Sequence, residues 1–342
     1  MSLKSIQRKR EYTKYVVDKR LCYYEPPRDK LQKTFAQELS FSLDQKQKSI
    51  SPKFFYDKKG SQLFEEICKL PEYYLTKTEI SILTQLYDKL PSHLNGDFRL
   101  VELGSGSSKK TRILLSILER LHKHTEYFPI DISKILKESS TILLDDYENL
   151  HITGIIDNYE SGLEFIKNYD NKKNLIAFLG SSFGNFDYEH GLKFLQKINS
   201  SMKKNDLFLI GLDLVKDKTV LERAYNDSQG VTAKFNLNVL SRINSELDSN
   251  FNINKFAHHA FYNEYKNRVE IYLRSLENQT VKIHKAGMVL QIKQDELIHT
   301  ENSYKYTISK IKEIFSMSSF RIKDIWFDEK QYFCLVLLSK ND

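Results

Sequence analysis

The chain has 342 residues, 40% hydrophobic and 28% charged, with 20 Tyr and 21 Phe, which suits two ordinary domains or one large domain with an insertion and a sizeable core. No apolar run approaches the roughly 20 residues that span a bilayer, no apolar leader follows Met1, and Cys22, Cys68 and Cys334 form neither a CxxC pair nor an even set, so a membrane span, a disulfide framework and a cysteine zinc site are not expected and a cytoplasmic location is. The net charge of +7 comes mainly from dispersed lysines interleaved with 45 acidic residues, and without a paired-aromatic RNA-binding signature it points to a Lys-rich background rather than to a nucleic-acid partner.

Residues 1–30 are polar, contain Pro26 and Pro27, and read as an arm. A short helix is expected over 31–43, then an aromatic segment and turn over Ser51-Pro-Lys-Phe-Phe-Tyr-Asp-Lys-Lys-Gly60. Apolar residues at 63, 64, 67 and 70 mark a helix, which Pro71-Glu-Tyr-Tyr-Leu-Thr76 breaks. A second helix follows over 78–90 with Thr78 as its N-cap.

From residue 100 the pattern alternates. Strands at 100–103, 127–131, 152–156, 174–179 and 206–213 are separated by helices at 110–122, 133–146, 160–167 and 188–202. That order predicts a parallel sheet with crossover helices, whose ligands lie outside the carboxyl ends of the strands. Residues 215–256 read as helical and polar, followed by strand-like runs at 258–263, 268–276, 281–284 and 288–292. A helix over 307–317 and an antiparallel pair at 320–327 and 332–339 close the chain. The expected architecture is therefore a parallel α/β domain (79–214 and 305–342) carrying a second lobe built from 31–78 and 215–304.

The strand ends hold the chemistry. Leu100-Val-Glu-Leu-Gly-Ser-Gly106 is a strand running into a glycine turn, with Gly104 at the bend and a helix behind it, which suits a nucleotide-like ligand. Asp131 can accept both hydroxyls of a ribose or cap the next helix. Asp157-Asn158 suits an adenine amino group or a simple turn. Phe178-Leu-Gly-Ser-Ser-Phe-Gly-Asn-Phe186 forms a polar loop where a substrate would sit, and Asp213 ends the fifth strand. A third glycine is missing from the first turn, where Ser108 stands, and GxxxxGK[ST] does not occur. Together with the C-terminal antiparallel pair, this favours an S-adenosylmethionine-dependent methyltransferase over a dehydrogenase or an ATPase. His258-His259 is a weak metal candidate because neighbours on a strand face opposite ways. Glu301 and Ser303 share a face of an extended segment and suit a cationic or N–H-bearing group, or a solvated edge.

Several longer motifs add a family. Ser51-Pro-Lys-Phe-Phe-Tyr-Asp, Leu70-Pro-Glu-Tyr-Tyr, Glu102-Leu-Gly-Ser-Gly, Phe178-Leu-Gly-Ser-Ser-Phe-Gly-Asn185, Gly211-Leu-Asp-Leu-Val-Lys-Asp217 and Gly230-Val-Thr-Ala-Lys-Phe-Asn-Leu-Asn238 resemble the histidine-specific Nα-methyltransferases of ergothioneine biosynthesis, in the family's order, from about residue 45 to the end. The resemblance implies a class I, Rossmann-like methyltransferase sheet with a C-terminal antiparallel hairpin, plus an α+β substrate-binding lobe. It also implies S-adenosylmethionine as donor, no metal, a small amino acid as partner, and three transfers to the α-amine of histidine, with tryptophan, tyrosine or a related metabolite as the alternative acceptor. A monomer is expected.

Carried over by position, the resemblance puts Tyr56, Gly104, Lys110, Asp131, Asp157 and Asn158 on the donor, with Lys110 near the donor carboxylate. Asn185 and Tyr225 meet the substrate carboxylate, Gly180 lies beside the amine, and Tyr73, Glu301 and Ser303 hold the imidazole. Tyr56 and Asn185 are the catalytic candidates, with the amine's proton leaving through Tyr56 or water. Two positions depart from the family: Asn158 where an aromatic is usual, and Ile271 where histidine-acting members carry methionine.

Overall fold

The computed structural model describes residues 11–27, 34–104, 106, 108–133 and 135–341. In chain order the strands and helices are Thr13–Val16 (β1), Leu21–Glu25 (β2), Phe35–Leu43 (α1), Lys58–Ile67 (α2), Tyr74–Lys89 (α3), Phe98–Leu103 (β3), Lys109–Leu121 (α4), Thr125–Asp131 (β4), Ile135–Asp146 (α5), Leu150–Ile156 (β5), Tyr159–Lys167 (α6), Lys173–Phe178 (β6), Tyr188–Ser201 (α7) and Leu207–Asp213 (β7). Lys218–Tyr225 (α8), Val231–Leu247 (α9), Phe256–Asn263 (β8), Arg268–Ser275 (β9), Gln279–Ile283 (β10), Met288–Ile292 (β11), Leu297–Tyr304 (β12), Ile308–Met317 (α10), Phe320–Phe327 (β13) and Phe333–Lys340 (β14) complete the chain.

The five buried apolar strands pair in parallel in the order β5-β4-β3-β6-β7, and β14 and β13 extend the β7 edge antiparallel. This is the parallel α/β sheet with a C-terminal antiparallel hairpin that the resemblance implies. Alternate residues feed opposite faces: Leu100, Leu175 and Leu209 pack beneath α3, α4 and α5, whereas Val101, Ile176 and Ile210 pack with α6, α7 and α10. The chain runs outward from β3 to β5 and then returns to β6, so the direction of winding switches between β3 and β6. The loops after those two strands, at Gly104 and Gly180, consequently lie side by side.

A separate core joins α1, α2, α8 and α9 to a three-stranded antiparallel sheet, β12-β9-β8. β12 had no counterpart among the strand-like runs of the sequence beyond the extended Thr300–Ser303. It pairs with β9, and the register slips between His299 and Glu301. The bulge re-aims the second half of the strand, so Glu301 lies opposite Ile271 and Ser303 opposite Val269.

Two other expectations change. The polar arm is structured where it is described: β1 and β2 form a hairpin, and β2 pairs in parallel with β5 at the sheet edge. Its polarity reflects β1's position as an edge strand whose four residues are all exposed. Helix α3 starts at Tyr74 rather than Thr78, whose hydroxyl instead donates to the carbonyls of Tyr74 and Leu75 within the helix. The earlier start places Tyr73 and Tyr74 at the mouth of the helix, on the side of the second core.

Candidate active site

The donor end is built by the two loops at the switch point. Gly104 has φ +76°, and a Cβ there would come within 2.8 Å of the Tyr159 hydroxyl, so only glycine lets β3 turn under that ring. Glu102, two residues earlier in β3, is buried and accepts hydrogen bonds from Tyr127 (2.6 Å) and Thr111 (2.7 Å), which ties α4 to β3 and β4. Burial pushes Glu102 up to about 7 against those two bonds. Asp131, at the tip of β4, is also raised by desolvation and accepts from the Ser133 N–H at 2.8 Å.

Lys110 stands in the first turn of α4. Its Nζ is 2.7 Å from Glu79 of α3, and both Glu79 oxygens lie 2.9 Å from the Gly180 N–H. Desolvation pulls the Lys110 ammonium down, but the Glu79 carboxylate outweighs it and leaves Lys110 above the ordinary lysine range. Glu79 thus fastens the Gly104 side of the site to the Gly180 side, a role the motifs did not reveal. The signal was present, because Glu79 falls on the apolar stripe Leu75, Ile82, Leu83, Leu86 of α3 and is 1% exposed.

Asp157 ends β5 in a buried position. Its Oδ1 accepts from the Asn158 backbone and side chain, and Asn158 caps α6 through the Ser161 N–H. One residue after Asn158, the Tyr159 ring packs edge-on to Phe178 and Phe194 and its hydroxyl reaches the Gly104 turn. Ser108 and Ser181, both in left-handed backbone on the two switch-point loops, have buried hydroxyls without a hydrogen-bond partner among the described residues. Such orphaned groups fit a polar ligand lying across the loops.

The acceptor end gathers residues far apart in the chain. A short 3-10 helix, Ser182–Asn185, follows the Gly180 loop and presses against β12, where a Cβ on Gly184 would sit 3.1 Å from the Tyr304 carbonyl. This close approach places Asn185 near enough to Glu301 to draw its carboxyl downward. Tyr225, at the end of α8, and Ser303 share a hydrogen bond of 2.7 Å. The Lys305 ammonium donates to Ser303 (2.7 Å), Tyr225 (3.0 Å) and Asp213 (2.7 Å), using all three of its hydrogens. Asp213 also accepts from Tyr74 and from Lys216, and Lys305 and Asp213 are wholly buried. Tyr73 meets Tyr225 edge-on at 6.2 Å, and Tyr56 stands edge-on to Phe64 and Phe235.

Desolvation lifts Glu301 to about 7, although Lys305 and Asn185 pull it the other way. Tyr56 keeps 41% of its surface accessible, yet its phenol is pushed well above the ordinary tyrosine range, first by the protein around it and then by Glu301. The sequence-derived residues thus form two groups, with Tyr56, Tyr73, Asn185, Tyr225, Glu301 and Ser303 together in one, and Gly104, Lys110, Asp131, Asp157, Asn158 and Gly180 at the strand ends in the other. His258 is not a metal candidate here: one ring nitrogen meets the Tyr225 carbonyl (2.9 Å) and the other Asn236 (3.0 Å). Among the described residues no cluster of His, Cys, Asp and Glu is arranged to hold a metal, and no helix is long and apolar enough to cross a membrane.

Residues 35–340 match the family described as histidine-specific methyltransferase, SAM-dependent. The chain belongs to that family. The methyltransferase is 37% identical over 295 residues to the histidine N-alpha-methyltransferase of Mycobacterium tuberculosis, covering 86% of this chain and 91% of that protein. It is 34% identical to the protein of the same name from Mycolicibacterium smegmatis, covering 85% and 90%. It is 30% identical to ergothioneine biosynthesis protein 1 of Neurospora crassa, covering 84% of this chain and 32% of that protein. The methyltransferase is accordingly an amino-acid N-methyltransferase that uses S-adenosylmethionine.

Proposed function

We propose that the enzyme transfers three methyl groups in succession from S-adenosylmethionine to the α-amine of L-histidine, giving trimethylhistidine. The observation that supports histidine most strongly is the pairing of Glu301 with Ser303 on one face of β12, with Lys305 behind the serine. A ring that offers one N–H and one lone pair meets a carboxylate at the first and a hydroxyl at the second, and imidazole is such a ring. A bulky apolar ring would leave the Glu301 charge without a partner.

When bound, S-adenosylmethionine supplies an electrophilic methyl on a sulfonium, open to in-line displacement, so alignment of the acceptor carries most of the catalysis. Asp131 and Asp157 would hold the ribose and adenine of the donor, Lys110 its carboxylate end, and Gly104 the close approach of the backbone. Asn185 and Tyr225 would orient the amino acid by its carboxylate, Tyr73 would close over the ring, and Gly180 and Tyr56 would flank the amine. The amine must be neutral to attack. A Tyr56 phenol raised so far remains protonated across the working range, so Tyr56 serves as a hydrogen-bonding post for the amine and the proton passes to water. Tyr56→Phe is expected to lower kcat by about 10- to 100-fold while leaving the shape of the pH–rate profile unchanged. A displaced alkaline limb would make Tyr56 the base instead.

Incubation with labelled donor and each of the twenty amino acids, followed by product mass, tests the substrate and the count together. Histidine gaining three methyls is the expected result. Absence of histidine turnover overturns the reading, and a product that stops at one or two methyls corrects the count.

A further inference from the structure

The N-terminal hairpin lies wholly before the segment that matches the family, which begins at residue 35. It nevertheless reaches the donor end. β2 runs parallel to β5 with Tyr24 opposite Ile155, and β1 runs back antiparallel with Thr13 opposite Glu25. That register returns the chain to the carboxyl edge of the sheet at Tyr12, level with Asp157. The Tyr12 hydroxyl donates to Asp157 Oδ2 at 2.7 Å, its ring packs on Phe165 with centroids 4.6 Å apart, and it also lies 3.3 Å from the Ser161 carbonyl.

Asp157 is 5% exposed, and its other oxygen is already held by Asn158. With Tyr12 on one oxygen and Asn158 on the other, the carboxylate is restrained against rotation about its last torsion. A charge-assisted bond of 2.7 Å from a partly buried phenol is one of the stronger local restraints available. An ionised carboxylate offers only acceptor sites, which suit the amino group of a purine and repel a carbonyl.

We propose that the hairpin is a working part of the donor site, and that Tyr12 is a positioning residue that holds Asp157 for the adenine amino group. This rests on the reading of Asp157 as a donor residue. The test compares the full-length protein with its Tyr12→Phe and Asp157→Ala variants, measuring affinity for S-adenosylhomocysteine and for its analogue with hypoxanthine in place of adenine. Tyr12→Phe keeps the ring on Phe165 and removes only the hydroxyl. Expected results are a loss of about five- to tenfold in S-adenosylhomocysteine affinity, a narrower preference for adenine over hypoxanthine, and an unchanged KM for the amino acid at saturating donor. A merely structural tyrosine would weaken both ligands equally and leave the preference intact, which overturns the proposal. If Asp157→Ala weakens binding and Tyr12→Phe does not, the proposal falls and the donor reading stands. If neither variant changes affinity, both fall.

Discussion

Asp213→Ala is expected to destabilise the fold by about 3–5 kcal/mol, the cost of leaving buried ammonium groups without their counter-charge. Asp213 accepts from Lys305 and Lys216 at 2.7 and 2.5 Å and from Tyr74, and it sits at the end of β7, the strand that joins the sheet to the second lobe. Lys216 is pushed down to about 8 by burial despite that carboxylate, whereas Lys305 is raised by it. The two ammonium groups and their single carboxylate therefore carry a net positive charge inside the core. Urea denaturation of the single variant measures the loss. The combined replacement of Asp213→Leu, Lys216→Met and Lys305→Met is expected to recover a large part of the stability, because an apolar trio of similar volume leaves no stranded charge. Activity is not expected to return with it. Ser303 and Tyr225 would lose the one donor that fixes both hydroxyls, and the KM for histidine is expected to stay at least about tenfold above the native value. Recovery of stability and KM together would show that Lys305 serves the fold alone.

The sheet was legible because each of its five central strands is a short apolar run closed by a polar residue or glycine, and because the chemistry sits at those closures: Glu102 and Gly104, Asp131, Asp157, Gly180 and Asp213. What was hidden depends on contacts across long separations or on backbone irregularity. Lys305 is one lysine among many in sequence, and only the return of the chain from β12 past β7 makes it a buried donor. The slip between His299 and Glu301 cannot be read from alternation, since a bulge breaks the very period that marks a strand. Glu79 was passed over because a glutamate in an amphipathic helix is ordinarily on the wet side, yet here it occupies the dry stripe to hold Lys110 and the Gly180 N–H. The hairpin escaped for the opposite reason: β1 is an exposed edge, and an edge strand reads as polar.

Glu301→Gln is expected to make the enzyme more stable and much less active at the same time. In the fold the Glu301 carboxyl holds its proton up to about 7, while in the unfolded chain it releases it near the ordinary value of 4.5. The sign follows from proton binding: between those two values the folded state binds more protons, so this group makes stability fall as pH rises, and the deficit is complete above 7. The glutamine variant lacks that term. Its unfolding free energy is expected to match the native protein's near pH 4 and to exceed it at pH 8 by a margin on the order of 3 kcal/mol. Activity runs the other way. The ionised carboxylate is the form that accepts an imidazole N–H, so kcat/KM for histidine is expected to rise through about 7 in the native enzyme, apart from the later limb set by the substrate amine. The variant is expected to lose the rise near 7, to keep the later limb, and to fall by about 100-fold at pH 8, the worth of a hydrogen bond to a charged group. A glutamine variant whose stability and activity both follow the native pH dependence would remove Glu301 from the ring site. If the two curves separate as expected, the residue that selects the acceptor is also one that the fold holds at a cost, because the carboxylate must be kept dry to discriminate and must be charged to bind.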